Sequence, residues 1–167
     1  VIEGNCLINS SKIGSKTLIK PFVSIDNSVV GNDCQLGPFS NLRPDSIISD
    51  QVKIGNYVEI KKSNIGNKSK VPHLSYIGDT DMGSKVNIGA GSITCNYDGF
   101  DKHKTTIGDE VFVGSNTMMV APVTLGKRST TGAGTVLSKN LTENTLGITR
   151  VKEKQIPNWN RKPKIKK

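Results

Sequence analysis

Only two histidines and three cysteines occur in the 167 residues of this chain. Zinc chemistry, which draws on about three His per site, finds too few donors here. Three cysteines without metal-ligand spacing suit a reducing cytoplasm rather than a disulfide framework. Aromatic residues make up only 5%, which speaks for one elongated domain rather than a conventional compact core. No apolar run is long enough to cross a bilayer as a helix, and no signal peptide is expected. Also missing are a helical period of 3.6, a long alternation of period two, and a Gly-rich nucleotide-binding loop near the start. The chain opens in mid-repeat without Met, which leads to the expectation of a piece of a longer polypeptide.

What is present is a step of six. Aliphatic residues recur as Ile2, Ile8, Ile13, Ile19, Ile25, Val30, Leu36, Leu42, Ile48, Ile54, Ile60, Ile65, Val71, Ile77, Met82, Ile88 and Thr94, then from Ile107 through Val113, Met119, Leu125 and Thr131 to Leu137. Of these 23 rungs 21 are Ile, Leu, Val or Met, where a composition of 34% hydrophobic would give about eight. Four residues after the rung stands Ser, Thr, Val or Cys in 18 of the 23 cases. One large and one small inward residue per six fit a short strand plus a turn, and the Gly that follows many rungs is expected to relieve backbone strain at the corner. Three steps close a triangular coil of about 18 residues, and roughly seven or eight coils stack by strand pairing. On the small position, Cys6 and Cys34 read as structural thiols.

The stacking register brings together residues 17 or 18 apart. Arg43 and Lys61 become neighbouring cations, which either hold an anion between them or splay into solvent. Asn41, Glu59 and Tyr76 form an outward polar column suited to sugar hydroxyls or amines, as well as to plain solvation. His73 comes to lie next to Gly89–Ala90–Gly91, where small side chains leave amides accessible, so that a general base and amide donors adjoin. Ser115 and Ala133 line a groove or simply a tight corner. The ladder breaks at 95–106, where Asn96, Tyr97, Asp98 and Gly99 are turn-prone and an excursion from the coil is expected to carry function.

The segments LRPDS (42–46), YVEIKKS (57–63), KVPHLSYIGD (70–79), NIGAGSITCNYDG (87–99), VFVGSNTMMVAPV (111–123) and ITRV (148–151) resemble the C-terminal domain of the bacterial bifunctional glucosamine-1-phosphate N-acetyltransferase / N-acetylglucosamine-1-phosphate uridylyltransferase, within the hexapeptide-repeat acyltransferases. The resemblance implies an all-β fold, a left-handed parallel β-helix over 1–149 with a basic C-terminal arm over 150–167. It also implies a homotrimer with sites between subunits, and acetyl transfer from acetyl-CoA to glucosamine 1-phosphate without a metal, on the way to UDP-N-acetylglucosamine and the cell envelope. The family's uridylyltransferase domain has no counterpart here. Carried over residue by residue, His73 is the general base. Arg43 and Lys61 bind the sugar's phosphate, Tyr76 and Asn87 contact the sugar, and Glu59 orients the amine or the imidazole. Ala90, Asn96, Tyr97, Ser115, Ala133 and Arg150 line the acetyl-CoA path, with Lys102 as a further contact. Pro72 beside the base and Thr130–Thr131–Gly132 before Ala133 depart from the family pattern.

From Arg150 to Lys167 eight Lys or Arg stand against Glu153 alone, +7 of the total +9. This run is a solvated tail or an arm for an anionic ligand; with Trp159 as its one aromatic it makes a poor nucleic-acid binder. Membrane insertion is not expected. Two alternatives remain: a hexapeptide acyltransferase with another acceptor or an acyl-carrier-protein donor, and a non-catalytic trimeric solenoid.

Overall fold

The structure, a computed structural model, describes residues 1–160. The basic arm inferred over 150–167 is therefore described only as far as Asn160, and residues 161–167 lie outside the described residues.

Among the described residues every regular element is a short parallel strand, and the strands build three flat walls with eight, seven and eight members, about eight triangular coils. The Tyr76 wall runs from Leu7–Asn9 to Val136–Leu137, the Asp81 wall from Lys12–Ile13 to Val123–Leu125, and the Asn87 wall from Leu18–Ile19 to Leu146–Gly147. Alternation within each strand decides what faces in. In Glu59–Lys61, Ile60 is buried between two partly exposed polar residues, because successive side chains point to opposite faces.

Twenty of the 23 rungs are buried, the exceptions being Ile2, Ile8 and Ile13 at the first coil. Each fully buried Ile contributes about 1.5–3 kcal/mol before entropy is counted. The two polar rungs are buried because their hydroxyls are bonded. Thr94 Oγ1 accepts from Gly78 N–H at 2.8 Å, and Thr131 Oγ1 accepts from Gly114 N–H at 3.0 Å.

Two expectations need correction. Of the 18 small positions 16 are buried, but Val29 is exposed and Ser28 takes its place inside. The step from Ile25 to Val30 has five residues, and losing one residue from the turn moves the inward side chain from the fourth to the third position, as it also does at Ser63 and Thr80. Most glycines that follow a rung, moreover, do not serve the corners, Gly37 with φ 89° being the exception among them. Positive φ falls on residues such as Phe22, Phe39, Tyr57, Leu74 and Asp79. Gly66 has no such φ; a Cβ there would stand 2.5 Å from the Gly83 carbonyl carbon and oxygen of the next coil. The repeat needs glycine where coils touch backbone to backbone, a spacing constraint rather than a conformational one.

The excursion is also shorter than 95–106. Cys95 pairs with Val120 at the end of Ile93–Cys95, and Thr105 and Thr106 pair on both sides in Thr105–Ile107, which leaves 96–104 as the irregular segment.

Candidate active site

His73 ends the strand Lys70–His73 and sits at the corner where the Asn87 wall turns into the Tyr76 wall. Its register partner is Asn56, and Asn56 Oδ1 lies 3.1 Å from His73 Nδ1. With that oxygen accepting, Nδ1 carries the proton and Nε2 is left as a base facing outward. The sequence reading missed Asn56, although the 17-residue spacing that it applied elsewhere leads straight to it.

Down the same corner the backbone is laced by N–H to C=O bonds from coil to coil: Phe39 to Pro21, Tyr57 to Phe39, Leu74 to Asn56, Asn116 to Ala90 and Gly134 to Ser115. One rung of this lacing is absent among the described residues, the one from Gly91 N–H to His73 C=O. The His73 carbonyl accepts instead from Ser75 Oγ at 2.7 Å. Neither the Ala90 nor the Gly91 amide has a protein acceptor among the described residues. Gly89 N–H is committed to Val113 C=O at 2.7 Å, so the amide donors expected around Gly89–Ala90–Gly91 reduce to Ala90 and Gly91. Ala90, Ser115 and Ala133 continue the corner as one small-residue column, through the Ile88–Val113 and Val113–Thr131 registers. Arg150 closes over Gly132 at the far end of that column.

The cations occupy the other edge of the Tyr76 wall. Arg43 and Lys61 are stacked as the spacing requires, following the registers Asn41–Glu59 and Leu42–Ile60. They are not bare charges, however: Arg43 Nη1 meets Glu59 Oε1 at 2.9 Å and Lys61 Nζ meets Asp79 Oδ2 at 3.2 Å. Carboxylates of the chain itself relieve the repulsion from which an anion had been inferred, and Glu59 is held by Arg43 rather than turned to the imidazole. Arg43 is half exposed at 47%, Lys61 only 16%. The hydrogen bond to Glu59 raises the Arg43 pKa. Burial works against the Lys61 ammonium, but its hydrogen bonds and the charge of Asp79 outweigh that and hold its pKa above the ordinary lysine value.

The loop 96–104 starts from the cation edge. Asn96 is buried and donates from Nδ2 to Asp79 Oδ2 and, at 3.4 Å, to Tyr76 Oη. Tyr97 is exposed, with its hydroxyl on Gly99 C=O at 2.7 Å, and pairs antiparallel with Lys102. Lys102 stands close enough to Lys61 for that neighbour to push its pKa down. Between the loop and the Asp81 wall opens a cleft of about 360 Å³ lined by Lys62, Asp79, Asp81, Lys102 and Lys104 among others.

Asp98 holds the loop tip. Its Oδ1 accepts from the Phe100 and Asp101 amides, each at 2.8 Å, and its Oδ2 lies 2.7 Å from His103 Nε2. The Asp101 amide, then His103 and the Phe100 amide, lower the Asp98 pKa well below the carboxylate range. A depressed acid pKa means that the tie is present above the ordinary aspartate pKa of about 3.9 and is lost only as pH falls through the depressed value. The Phe100 and Asp101 amide proton shifts are accordingly expected to hold through pH ~4 and to move only in stronger acid. A titration midpoint at the ordinary aspartate value, followed by NMR, would contradict this arrangement.

Not all expected site residues meet in one chain. Tyr76, Glu59, Arg43, Lys61 and Asn96 share the Tyr76 wall or its cation edge, whereas Asn87 faces out from the neighbouring wall between Lys70 and Phe112. His73 and Lys61 do not share a flank either. Lys61 is in register with Gly78, five residues after His73, which places them up to about 17 Å apart along extended chain.

The family model for bacterial transferase hexapeptide (six repeats) matches residues 27–62 and 104–139. The bifunctional protein GlmU of Chromobacterium violaceum is 52% identical over 163 residues, 98% of this chain and 36% of that protein. That of a Janthinobacterium strain is 48% identical over 166 residues, 99% of this chain and 37% of that protein. The chain thus spans a little over a third of the length of these relatives. Among solved structures, the Francisella novicida UDP-N-acetylglucosamine acyltransferase superposes with a TM-score of 0.59 at 17% identity, covering 89% of this chain and 66% of that one; at that identity the likeness is one of fold.

Proposed function

The chain belongs with the hexapeptide-repeat transferases and is homologous along nearly its whole length to the bifunctional GlmU proteins; on that premise we propose that it moves the acetyl group of acetyl-CoA to the amine of glucosamine 1-phosphate, giving N-acetylglucosamine 1-phosphate. The uridylyltransferase activity that the resemblance assigns to the full-length family belongs, on this reading, to the part of those proteins that this chain does not span.

An alkylammonium has no lone pair to offer, so a base must take its proton as nitrogen meets the thioester carbon. His73 Nε2 is that base, with Asn56 fixing the tautomer from the opposite ring nitrogen. As the C–N bond forms, the thioester π electrons move onto oxygen, and the Ala90 and Gly91 amides meet the developing charge. Collapse of the intermediate expels the CoA thiolate, which picks up a proton. Ala90, Ser115 and Ala133 give the pantetheine a shallow track along the corner, with Arg150 at its end. Arg43 and Lys61 meet the sugar phosphate as charge-assisted donors, with Tyr76 beside them. Asn87 faces away from these groups in its own chain, which fits a homotrimer whose sites are completed between subunits. The observation that carries this reading is the interrupted lacing at His73, which puts an oriented imidazole next to unbonded amides.

A thiol-release assay on the purified chain tests it. Acetyl-CoA with glucosamine 1-phosphate is expected to release CoA at a rate far above acetyl-CoA alone. Release with a different acceptor and none with this one would overturn the assignment.

A further inference from the structure

Asp79 was not among the residues picked out from the sequence, yet it holds more of the cation edge together than any of them. It lies at the corner between the Tyr76 and Asp81 walls, with its side chain 11% exposed. Its N–H donates to Lys61 C=O at 3.0 Å and its C=O accepts from Thr105 N–H at 3.1 Å. One carboxylate oxygen, Oδ2, receives both the Lys61 ammonium and the Asn96 amide. A single residue therefore grips Lys61, the first residue of the loop, and the strand onto which the loop returns.

We propose that Asp79 is a positioning residue that couples the two substrate sides, so that an anion arriving at Lys61 tightens the loop that contacts CoA. This rests on the function proposed above. The physical reason is a shared oxygen. Without an anion, Lys61 and Asn96 share Oδ2, and Lys102 stands near enough to Lys61 for its pKa to be lowered. A phosphate dianion takes over Lys61 and attracts Lys102, so that Oδ2 is released to Asn96 and the loop is drawn in. Two ligands that favour one loop arrangement bind with positive coupling, and the coupling is reciprocal.

Isothermal titration of the whole chain with CoA, with and without saturating glucosamine 1-phosphate, reads this directly, since the pair cannot react. In the wild type the sugar phosphate is expected to tighten CoA by about fivefold or more. In Asp79→Asn, which keeps the shape but not the charge, the ratio of the two dissociation constants is expected to fall to about one while each ligand still binds. Asn96→Ser removes the tie from the loop side and leaves the Asp79–Lys61 pair intact. It should lose the coupling too, and so keeps the test alive if Asp79→Asn folds poorly. A merely structural Asp79 would weaken both ligands without changing the ratio. An unchanged ratio in both variants, or a ratio of one in the wild type, overturns the coupling alone. Failure of the wild type to bind either ligand overturns the functional reading beneath it.

Discussion

His73→Ala is expected to lower kcat by about 10²–10⁴-fold, the usual worth of a positioned general base, with the proposed trimer and the thermal midpoint little changed. The asymmetry follows from where the residue sits. The imidazole is exposed at a corner and its only side-chain partner among the described residues is Asn56, so truncating it leaves no cavity among the rungs and no buried polar group without a partner. On the proposed function KM for acetyl-CoA should move little, because the proposed pantetheine track of Ala90, Ser115 and Ala133 is left in place. A loss confined to kcat marks a group that acts in the transition state rather than in ground-state binding. Steady-state thiol release together with sedimentation of the variant measures both halves. Unchanged turnover in an intact oligomer would remove His73 from the mechanism and favour a solenoid that binds without catalysing.

The fold was legible because inward and outward residues alternate under a strict geometric rule, and twenty rungs obey it. What the ladder concealed was the cost of a shortened turn: Val29 satisfies the pattern of small residues yet faces solvent, because a five-residue step rotates the inward position to Ser28. The site was legible where function depends on register. The arithmetic that stacked Arg43 on Lys61 also holds Asn56 beside His73, and it sets Asp79 one coil from both Lys61 and Asn96. Those partners were missed because His73 was compared only with Ala90 in the following coil and Lys61 only with Arg43, not with the amide and the carboxylate at the same spacing on the other side. Which edge of a wall a side chain favours is settled by its hydrogen bonds, as with Lys61 leaning on Asp79, and spacing alone carries no information about that choice.

The same stacking makes a glycine of the preceding coil part of the His73 corner. A Cβ on Gly55 would overlap the Pro72 carbonyl oxygen and stand 2.5 Å from its carbon, in the coil directly above. Gly55 has no positive φ, so alanine suits its backbone conformation and the whole penalty is collision. Both partners are main chain in strands tied into the Asn87 wall, which closes off cheap relief by side-chain rotation. Overpacking of this kind costs about 3 kcal/mol, and for a chain of this size that corresponds to a thermal midpoint lower by about 6–12 °C. The displacement falls on the peptide that joins Pro72 to His73. A shift of about 1 Å in a catalytic group can cost ~10²-fold in rate, so Gly55→Ala is expected to lose roughly that much kcat even at a temperature where it stays folded. Gly66→Ala makes the control: its clash with Gly83 is also with backbone, but on the Asp81 wall, away from the His73 corner. It should destabilise comparably and keep its turnover when cold. If both variants lose stability and neither loses kcat, the placement of the imidazole does not depend on the Gly55–Pro72 contact, and the Asn56 side chain alone would have to hold the base in place.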